Sequence, residues 1–272
     1  AVAASNQAST ISRSTLFSDT LSGPPTPRSS AAAPSQFSAR RTVDYNREDQ
    51  EGVGYFQMTM KNGRRCSSAA AYLKPARKRS NLHIFTNAHS EKLLIDGNDV
   101  TGVRCKIRGK SVDISARREV ILSAGSIGSP QLLMLSGIGD AAELRPHGID
   151  VLHHIPGVGK NLQDHLQARP VFKCRSSTIN TETKNMFQLA AIAFQYVLNR
   201  SGPMAMAASL GTGFLKTHDE LECPDIQFHI QPFSADNPAE GSHKFSAFTA
   251  SVLQLRPEST GRISLRSASP FD

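Results

Sequence analysis

The residues best suited by type to bind a ligand follow a predicted strand at positions 119–122, which is apolar from Val120 onwards. That segment runs into the small residues 123–126, and Pro130 then marks a helix start with Ser129 as its N-cap. Small residues at the carboxyl end of a strand let a ligand approach the backbone, and a helix amino terminus there favours an anionic pyrophosphate. A strand–turn–helix unit with no ligand is the alternative interpretation.

Other residues of catalytic type do not form recognised sites. His153, His154, Asp164 and His165 are metal-ligating types, but the two adjacent histidines would point to opposite faces of a strand, so we predict no metal site. Residues 125–129 do not match GxSxG, which argues against an α/β-hydrolase.

The glycine-rich fingerprint of dinucleotide-binding proteins, GxGxxG, is also absent. In residues 157–162 the third glycine is replaced by Leu162. This sequence therefore lacks the main pyrophosphate cradle of a dinucleotide site.

Cysteine spacing and hydropathy limit the class of protein. Cys66, Cys105, Cys174 and Cys223 form no CxxC pair, so we predict four free thiols in a reducing compartment. No apolar run reaches the ~20 residues that span a bilayer, so no transmembrane segment is expected. These features favour a cytoplasmic protein, with peripheral membrane contact left open.

The charge is basic, with 31 Lys and Arg against 23 Asp and Glu and a net charge of +8. The densest basic run is residues 61–79. A solvated helix face is favoured over a nucleic-acid site, because no aromatic residues interleave with the basic ones and tryptophan is absent.

Periodicity and turn residues predict mixed secondary structure after a Ser-rich, low-complexity stretch at residues 1–40, which we expect to be disordered. We predict strands at residues 53–60, 82–87, 92–96, 101–108, 119–122, 151–155, 226–231, 245–255 and 261–266, with the second to fourth forming an antiparallel meander. We predict helices at residues 67–74, 130–135, 141–147 and 185–199, ending at Pro75, Gly137, Gly148 and Gly202-Pro203. Asn62-Gly63 predicts a turn, and the helix at 185–199 is apolar nearly all round, which predicts burial on two sides.

Four stretches resemble one family. They are residues 63–67 with 71–76, 123–139, 156–165 and 256–263, and in order and spacing they are similar to the glucose–methanol–choline (GMC) oxidoreductases, which are FAD-dependent alcohol dehydrogenases and oxidases. The resemblance covers residues 41–272 and is closest to the choline-dehydrogenase-like branch. It implies a central fragment of a longer enzyme.

The resemblance implies an α/β fold of the mixed α+β type, forming part of a two-domain FAD-binding flavoprotein. Residues 41–165 would be a partial FAD-binding domain. Residues 166–272 would be a partial substrate-binding domain with an antiparallel sheet and the start of the carboxyl-terminal region.

The resemblance also implies site residues. Ala124 and Gly125 would pack against FAD, and Ser90 would contact adenine through its backbone. Asn161 and His165 would lie near the flavin, although a hydrogen-bonded structural role for His165 is an equal alternative.

One substrate position departs from the choline-specific pattern. Leu210 occupies a position where choline-specific relatives tend to carry Glu, which predicts a neutral alcohol because the anion that would attract a quaternary ammonium is missing.

By resemblance, hydride passes from the alcohol to flavin N5, while a histidine outside this sequence takes the proton. None of the nine histidines is assigned that catalytic role, and this chain alone is expected to turn nothing over. The sequence leaves the electron acceptor open: it could be oxygen, a quinone or another carrier. The alternatives are a non-catalytic truncated product and a basic nucleic-acid-binding module.

Overall fold

A computed structural model describes residues 2–4, 39–237 and 241–272. The low-complexity stretch predicted at 1–40 therefore lies largely outside the described residues. The described chain divides into two compact units. The first contains residues 68–164 and 258–272, and the second contains residues 39–67 and 165–257.

The elements are strands, which occur mostly in runs of three or four, and helices between these runs. The strands are β1 (Val2–Ala4), β2 (Gly52–Tyr55), β3 (Met60–Lys61), β4 (Arg64–Arg65), β5 (Ala88–Asp96), β6 (Asp99–Ile107), β7 (Lys110–Ser115), β8 (Val120–Leu122), β9 (Ile138–Gly139), β10 (His153–His154), β11 (Gln167–Ala168), β12 (Val171–Lys173), β13 (Gly211–Leu215), β14 (Ile226–Gln231) and β15 (Ala247–Gln254). The α-helices are α1 (Lys74–Ala76), α2 (Gly125–Leu135), α3 (Ala141–Leu144), α4 (Ile179–Glu182) and α5 (Met186–Asn199). A π-helical turn covers Ala69–Leu73, and 3-10 turns cover Arg145–His147 and Pro203–Ala205.

The first unit is built on the antiparallel sheet β5–β6–β7, with α2 packed on β5. Its core consists of Leu93, Val103, Cys105 and Leu132, all at least nine-tenths buried. The predicted antiparallel meander is confirmed, and its strands predicted at 92–96 and 101–108 correspond to β5 and β6. Residues 82–87 form no strand and are largely exposed, and the third strand is β7.

Strand β8 differs from its predicted environment. It pairs in parallel with β1, as expected of a parallel strand, but the prediction of burial on both faces is wrong, because Ile121 is 45% exposed.

Helix α2 begins earlier than predicted. Its N-cap is Ala124 and its first residue is Gly125, whereas Ser129 and Pro130 lie inside the helix, so the predicted cap at Ser129 is wrong. The Ser129 hydroxyl instead accepts the Ala124 N–H at 3.1 Å. The predicted end is confirmed, since Gly137 follows the helix with a φ of +81°.

The shorter helices follow their predicted turn residues only in part. Gly148 ends the 3-10 turn after α3 with a φ of +70°, as predicted. Pro75 does not stop the helix predicted before it, because it occupies the first turn of α1, where a missing N–H costs no hydrogen bond.

The second unit contains a six-stranded antiparallel sheet in the order β11–β15–β14–β13–β2, with β12 also paired to β15. The strand predicted at 226–231 coincides with β14, and the one predicted at 245–255 contains β15. The strand predicted at 53–60 is shorter, ending at Tyr55. The predicted Asn62-Gly63 turn is confirmed, as it joins β3 to β4 with both residues at positive φ.

Two further strand predictions fall short in the first unit. The strand predicted at 151–155 is reduced to β10, and the one predicted at 261–266 is wrong, because only Gly261 forms a bridge, to Leu162. Beyond that bridge, no strand among the described residues pairs with residues 262–266, so the segment has no partner with which to form a sheet.

The predicted position of helix α5 is confirmed, but its predicted burial is not. Asn185 caps it by accepting the Phe187 N–H at 2.9 Å, and Arg200 ends it in the left-handed conformation. The predicted burial on two sides is wrong: Phe187 is 87% exposed and Phe194 66%. Across residues 2–4, 39–237 and 241–272, no helix is long and apolar enough to cross a membrane.

Leu132→Ala should destabilise the first unit by about 2–5 kcal/mol, because the leucine is 2% exposed in the core and its removal leaves a cavity. Urea unfolding followed by circular dichroism measures this. Leu166→Ala is the control, since Leu166 is 78% exposed, and it should change stability by about 0.5 kcal/mol or less. Equal losses in both variants would contradict the assigned core.

Candidate functional site

The candidate cofactor site is the bend that joins β8 to α2. Ala124 is 6% exposed, and Gly125 has a φ of +79°, a region that L side chains rarely adopt. A Cβ added to Gly128 would lie 3.0 Å from the Ala124 Cβ, so the first turn of the helix already packs closely on Ala124. The bend therefore requires small residues at three positions.

The amino end of α2 is open. The first N–H groups of a helix have no partner within it, and the methyl side chain of Ala124 supplies no cap. Ser126 is exposed and Ile127 is 63% exposed, so neither of these side chains is packed over this end. This arrangement can accept an anionic group.

Ser90 lies on β5 of the same unit and is 5% exposed. It is paired with Cys105 of β6, and its Oγ lies 3.8 Å from the Cys105 Sγ. Burial raises the pKa of the Cys105 thiol, which therefore stays protonated at neutral pH. The ladder is irregular between Ser90 and Lys92, which changes the direction of the backbone at that point.

Asn161 also lies in the first unit, after the turn at residues 156–159. It is exposed and left-handed, with a φ of +58°. The next residue, Leu162, exchanges two backbone hydrogen bonds with Gly261, at 3.0 and 2.7 Å. Asn161 is thus presented at the surface by an anchored segment.

The other two predicted residues belong to the second unit. His165 is exposed at the start of the long segment 165–257. Leu210 is half-buried directly before β13; its N–H donates to the Ile230 carbonyl and its carbonyl accepts the Phe56 N–H, each at 2.9 Å. The structure therefore groups Ser90, Ala124, Gly125 and Asn161 in one unit and assigns His165 and Leu210 to the other.

The sheet of the second unit has a polar face that the sequence alone did not reveal. Adjacent strands place Thr212 opposite His229, and His229 opposite Ser251. Gln231 lies opposite Thr249 on the same face, because side chains two residues apart point the same way. The missed signal is that residues 227, 229 and 231 and residues 249 and 251 are all polar and would align.

This polar face contains buried hydrogen-bonding capacity. Thr212, Thr249 and Ser251 are each 3% exposed or less. Within the described chain, the Ser251 Oγ and the Gln231 Oε1 are buried without a partner, which is unusual because buried polar atoms are normally satisfied. Each of these atoms costs stability that a hydrogen-bond partner would offset.

His229 is the titratable member of this face. Its ring meets the Phe56 ring edge-on, with centroids 4.9 Å apart. Burial lowers the pKa of His229, so the imidazole is neutral at neutral pH and can donate or accept a hydrogen bond.

Curated proteins with similar sequences are oxidoreductases. The oxygen-dependent choline dehydrogenase of Brucella ovis is 41% identical over 229 residues, covering 84% of this chain and 42% of that protein. The protein of the same name from Staphylococcus xylosus is 39% identical over 232 residues, covering 85% and 41%. The chain thus spans about two fifths of the length of these relatives.

Solved structures share the fold. A formate oxidase of Aspergillus oryzae, studied for the effect of a mutation on FAD modification, matches with a TM-score of 0.69 and 26% identity, covering 82% of this chain and 43% of that one. Pyridoxine 4-oxidase from Mesorbium loti matches with a TM-score of 0.66 and 24% identity, covering 81% and 40%.

The family match coincides with the candidate cofactor site. Residues 28–167 match the family described as GMC oxidoreductase, a range that contains Ser90, the β8–α2 bend and Asn161. The predicted family and the mixed α/β fold are confirmed by these similarities. This chain belongs to the GMC oxidoreductase family.

Proposed function

We propose that this chain forms part of an FAD-dependent oxidoreductase that oxidises the CH–OH group of a small alcohol. The observation that carries the proposal is the open, small-residue bend at Ala124 and Gly125, inside the stretch that matches the GMC family. The 41% identity to an oxygen-dependent choline dehydrogenase supports the reaction class.

The residues at the bend fit FAD. Gly125 has no Cβ at a positive φ, and the Ile127 side chain is 63% exposed. The first N–H groups of a helix have no partner within it and suit a pyrophosphate. In this proposal Ala124 and Gly125 contact the cofactor, and the backbone at Ser90 borders its adenine. Bound FAD supplies the hydride acceptor.

In this proposal one unit binds the cofactor and the other binds the substrate. We assign the cofactor to residues 68–164 with 258–272, and the alcohol to residues 39–67 with 165–257. These limits differ from the sequence-based ones of 41–165 and 166–272 for two reasons. Strand β2 is hydrogen-bonded to β13 in the second unit, and Gly261 is bridged to Leu162 in the first.

Asn161 and His165 complete the proposed contacts. Asn161 carries its side chain at the surface of an anchored turn, which leaves its amide free to approach the flavin. His165, four residues later and the first residue of the segment 165–257, is proposed as the one flavin contact outside the residues assigned to the cofactor.

The substrate side is the polar sheet face. The half-buried His229 imidazole on this face can exchange a hydrogen bond with the hydroxyl of an alcohol, while Leu210 presents no charge. A neutral alcohol is therefore proposed, because a quaternary ammonium would lose the Coulomb attraction of an anion at position 210.

Peripheral contact with an anionic membrane is proposed for a cytoplasmic protein, with α5 as the contact. This helix has no charged residue, exposes Phe187 and Phe194, and lies between Lys184 and Arg200. Its 14 residues span about 21 Å, which is too short to cross the ~30 Å hydrocarbon layer but suits its surface. The net charge of +8 complements anionic lipid headgroups.

The complete gene product that contains this chain should retain FAD on purification, and Gly125→Ala should lower the FAD-to-protein ratio about tenfold, because a methyl group at this positive φ is strained and lies at the proposed binding bend. Visible absorbance of released flavin measures the ratio. Gly109→Ala is a matched control, since its φ of +81° imposes the same strain in a turn with open space around it. Equal FAD loss in both variants would contradict the site.

The complete gene product that contains this chain should oxidise 1-hexanol with a higher kcat/KM than choline, as measured with an artificial electron acceptor. Leu210→Glu should raise kcat/KM for choline about tenfold by restoring an anion. Leu210→Gln, which has the same shape without charge, should not. A wild-type preference for choline would refute the neutral-alcohol proposal.

The purified chain should sediment with vesicles containing anionic phosphatidylglycerol and not with vesicles of phosphatidylcholine alone. The double variant Phe187→Ser with Phe194→Ser should bind about tenfold less, since burial of these rings is lost. Phe85→Ser, at a ring 58% exposed outside α5, should bind as wild type. Unchanged binding of the double variant would exclude α5 as the contact.

A further inference from the structure

A cavity of about 210 Å³ in the first unit is not used by the proposed oxidoreductase function. It lies between the α3 corner and the segment that follows Gly261. Its polar lining is Glu143, His147, Arg262 and Ser264. None of the residues proposed for FAD or alcohol lines it.

Glu143 supplies an unsatisfied acceptor to this cavity. Its Oε1 is ion-paired with the Lys160 ammonium, and the Arg262 guanidinium lies 3.9 Å from the same oxygen. Its Oε2 is buried and has no hydrogen-bond partner among the residues described. A buried carboxylate oxygen without a donor is costly, so a bound donor there stabilises the site.

Arg262 supplies the opposite charge. Its side chain is 67% exposed and reaches the cavity beside Ser264, so most of its N–H groups remain open to a ligand. The planar guanidinium matches a carboxylate, which it can bind through two parallel hydrogen bonds.

The charges select the class of ligand. A simple anion would leave the Glu143 Oε2 without a donor, and a simple cation would leave the Arg262 guanidinium without an anion. A zwitterion satisfies both sides. The remaining lining is apolar, consisting of Met134, Pro146 and Leu265, and suits a short aliphatic side chain.

We propose that this cavity binds a small aliphatic α-amino acid. The ammonium group donates a hydrogen bond to the Glu143 Oε2, the Arg262 guanidinium binds the carboxylate, and the side chain packs on Met134 and Leu265. The site is independent of the FAD bend and of the polar sheet face, and it requires no covalent step.

Isothermal titration calorimetry of the purified chain with L-leucine tests the site. L-Leucine should bind, whereas 4-methylpentanoate, which lacks the ammonium, 3-methylbutylamine, which lacks the carboxylate, and inorganic phosphate should each bind at least about tenfold more weakly. No heat with L-leucine, or equal affinity for 4-methylpentanoate or phosphate, would overturn the proposal.

Variants separate the two charged contacts. Glu143→Gln and Arg262→Lys should each weaken L-leucine binding about tenfold, while Arg266→Lys, an exposed position outside the lining, should not. Circular dichroism confirms that each variant is folded, and Arg262→Lys keeps the test decisive if Glu143→Gln disturbs the pair with Lys160. Undiminished binding in folded Arg262→Lys would overturn the assignment.

Discussion

The attachment of α2 to the β5–β7 sheet is the interaction on which the rest of the first unit depends. The Ser136 hydroxyl accepts the Leu93 N–H at 2.8 Å and donates to the Leu132 carbonyl at 2.6 Å, while Leu132 fills the core. With its carboxyl end fixed in this way, the helix must begin at the end of β8. Only a residue without a Cβ, Gly125, makes that abrupt start without strain. The open amino terminus proposed to bind FAD is therefore a consequence of core packing.

Strand register has the same role in the second unit. Because β13, β14 and β15 are paired in register, Thr212, His229 and Ser251 align across three strands. The resulting buried polar face costs stability wherever an atom lacks a partner, as at Gln231 and Ser251. Proteins accept such a loss of stability mainly at functional sites, which supports the proposal that this face binds a polar substrate.

Local signals in the sequence were sufficient for elements whose ends carry turn chemistry. Gly137 after α2 and Gly148 after α3 were both identified correctly, because each residue acts within one turn of the chain. Non-local pairing was not accessible in the same way. The alternation of Val112 and Ile114 in β7 is too short to be distinctive, and the exposure of α5 depends on what packs against it. Likewise the polar sheet face requires three separated strands to be aligned, which no single segment of sequence specifies.

The central claim is that FAD binds at the start of α2, and amide hydrogen exchange tests it most directly. Comparison of the purified chain with and without added FAD should show slower exchange of the backbone amides at residues 125–128 when FAD is present. The amide of Gly109, in the β6–β7 turn, should exchange at the same rate in both samples. Protection elsewhere in the first unit with no change at residues 125–128 would contradict the account.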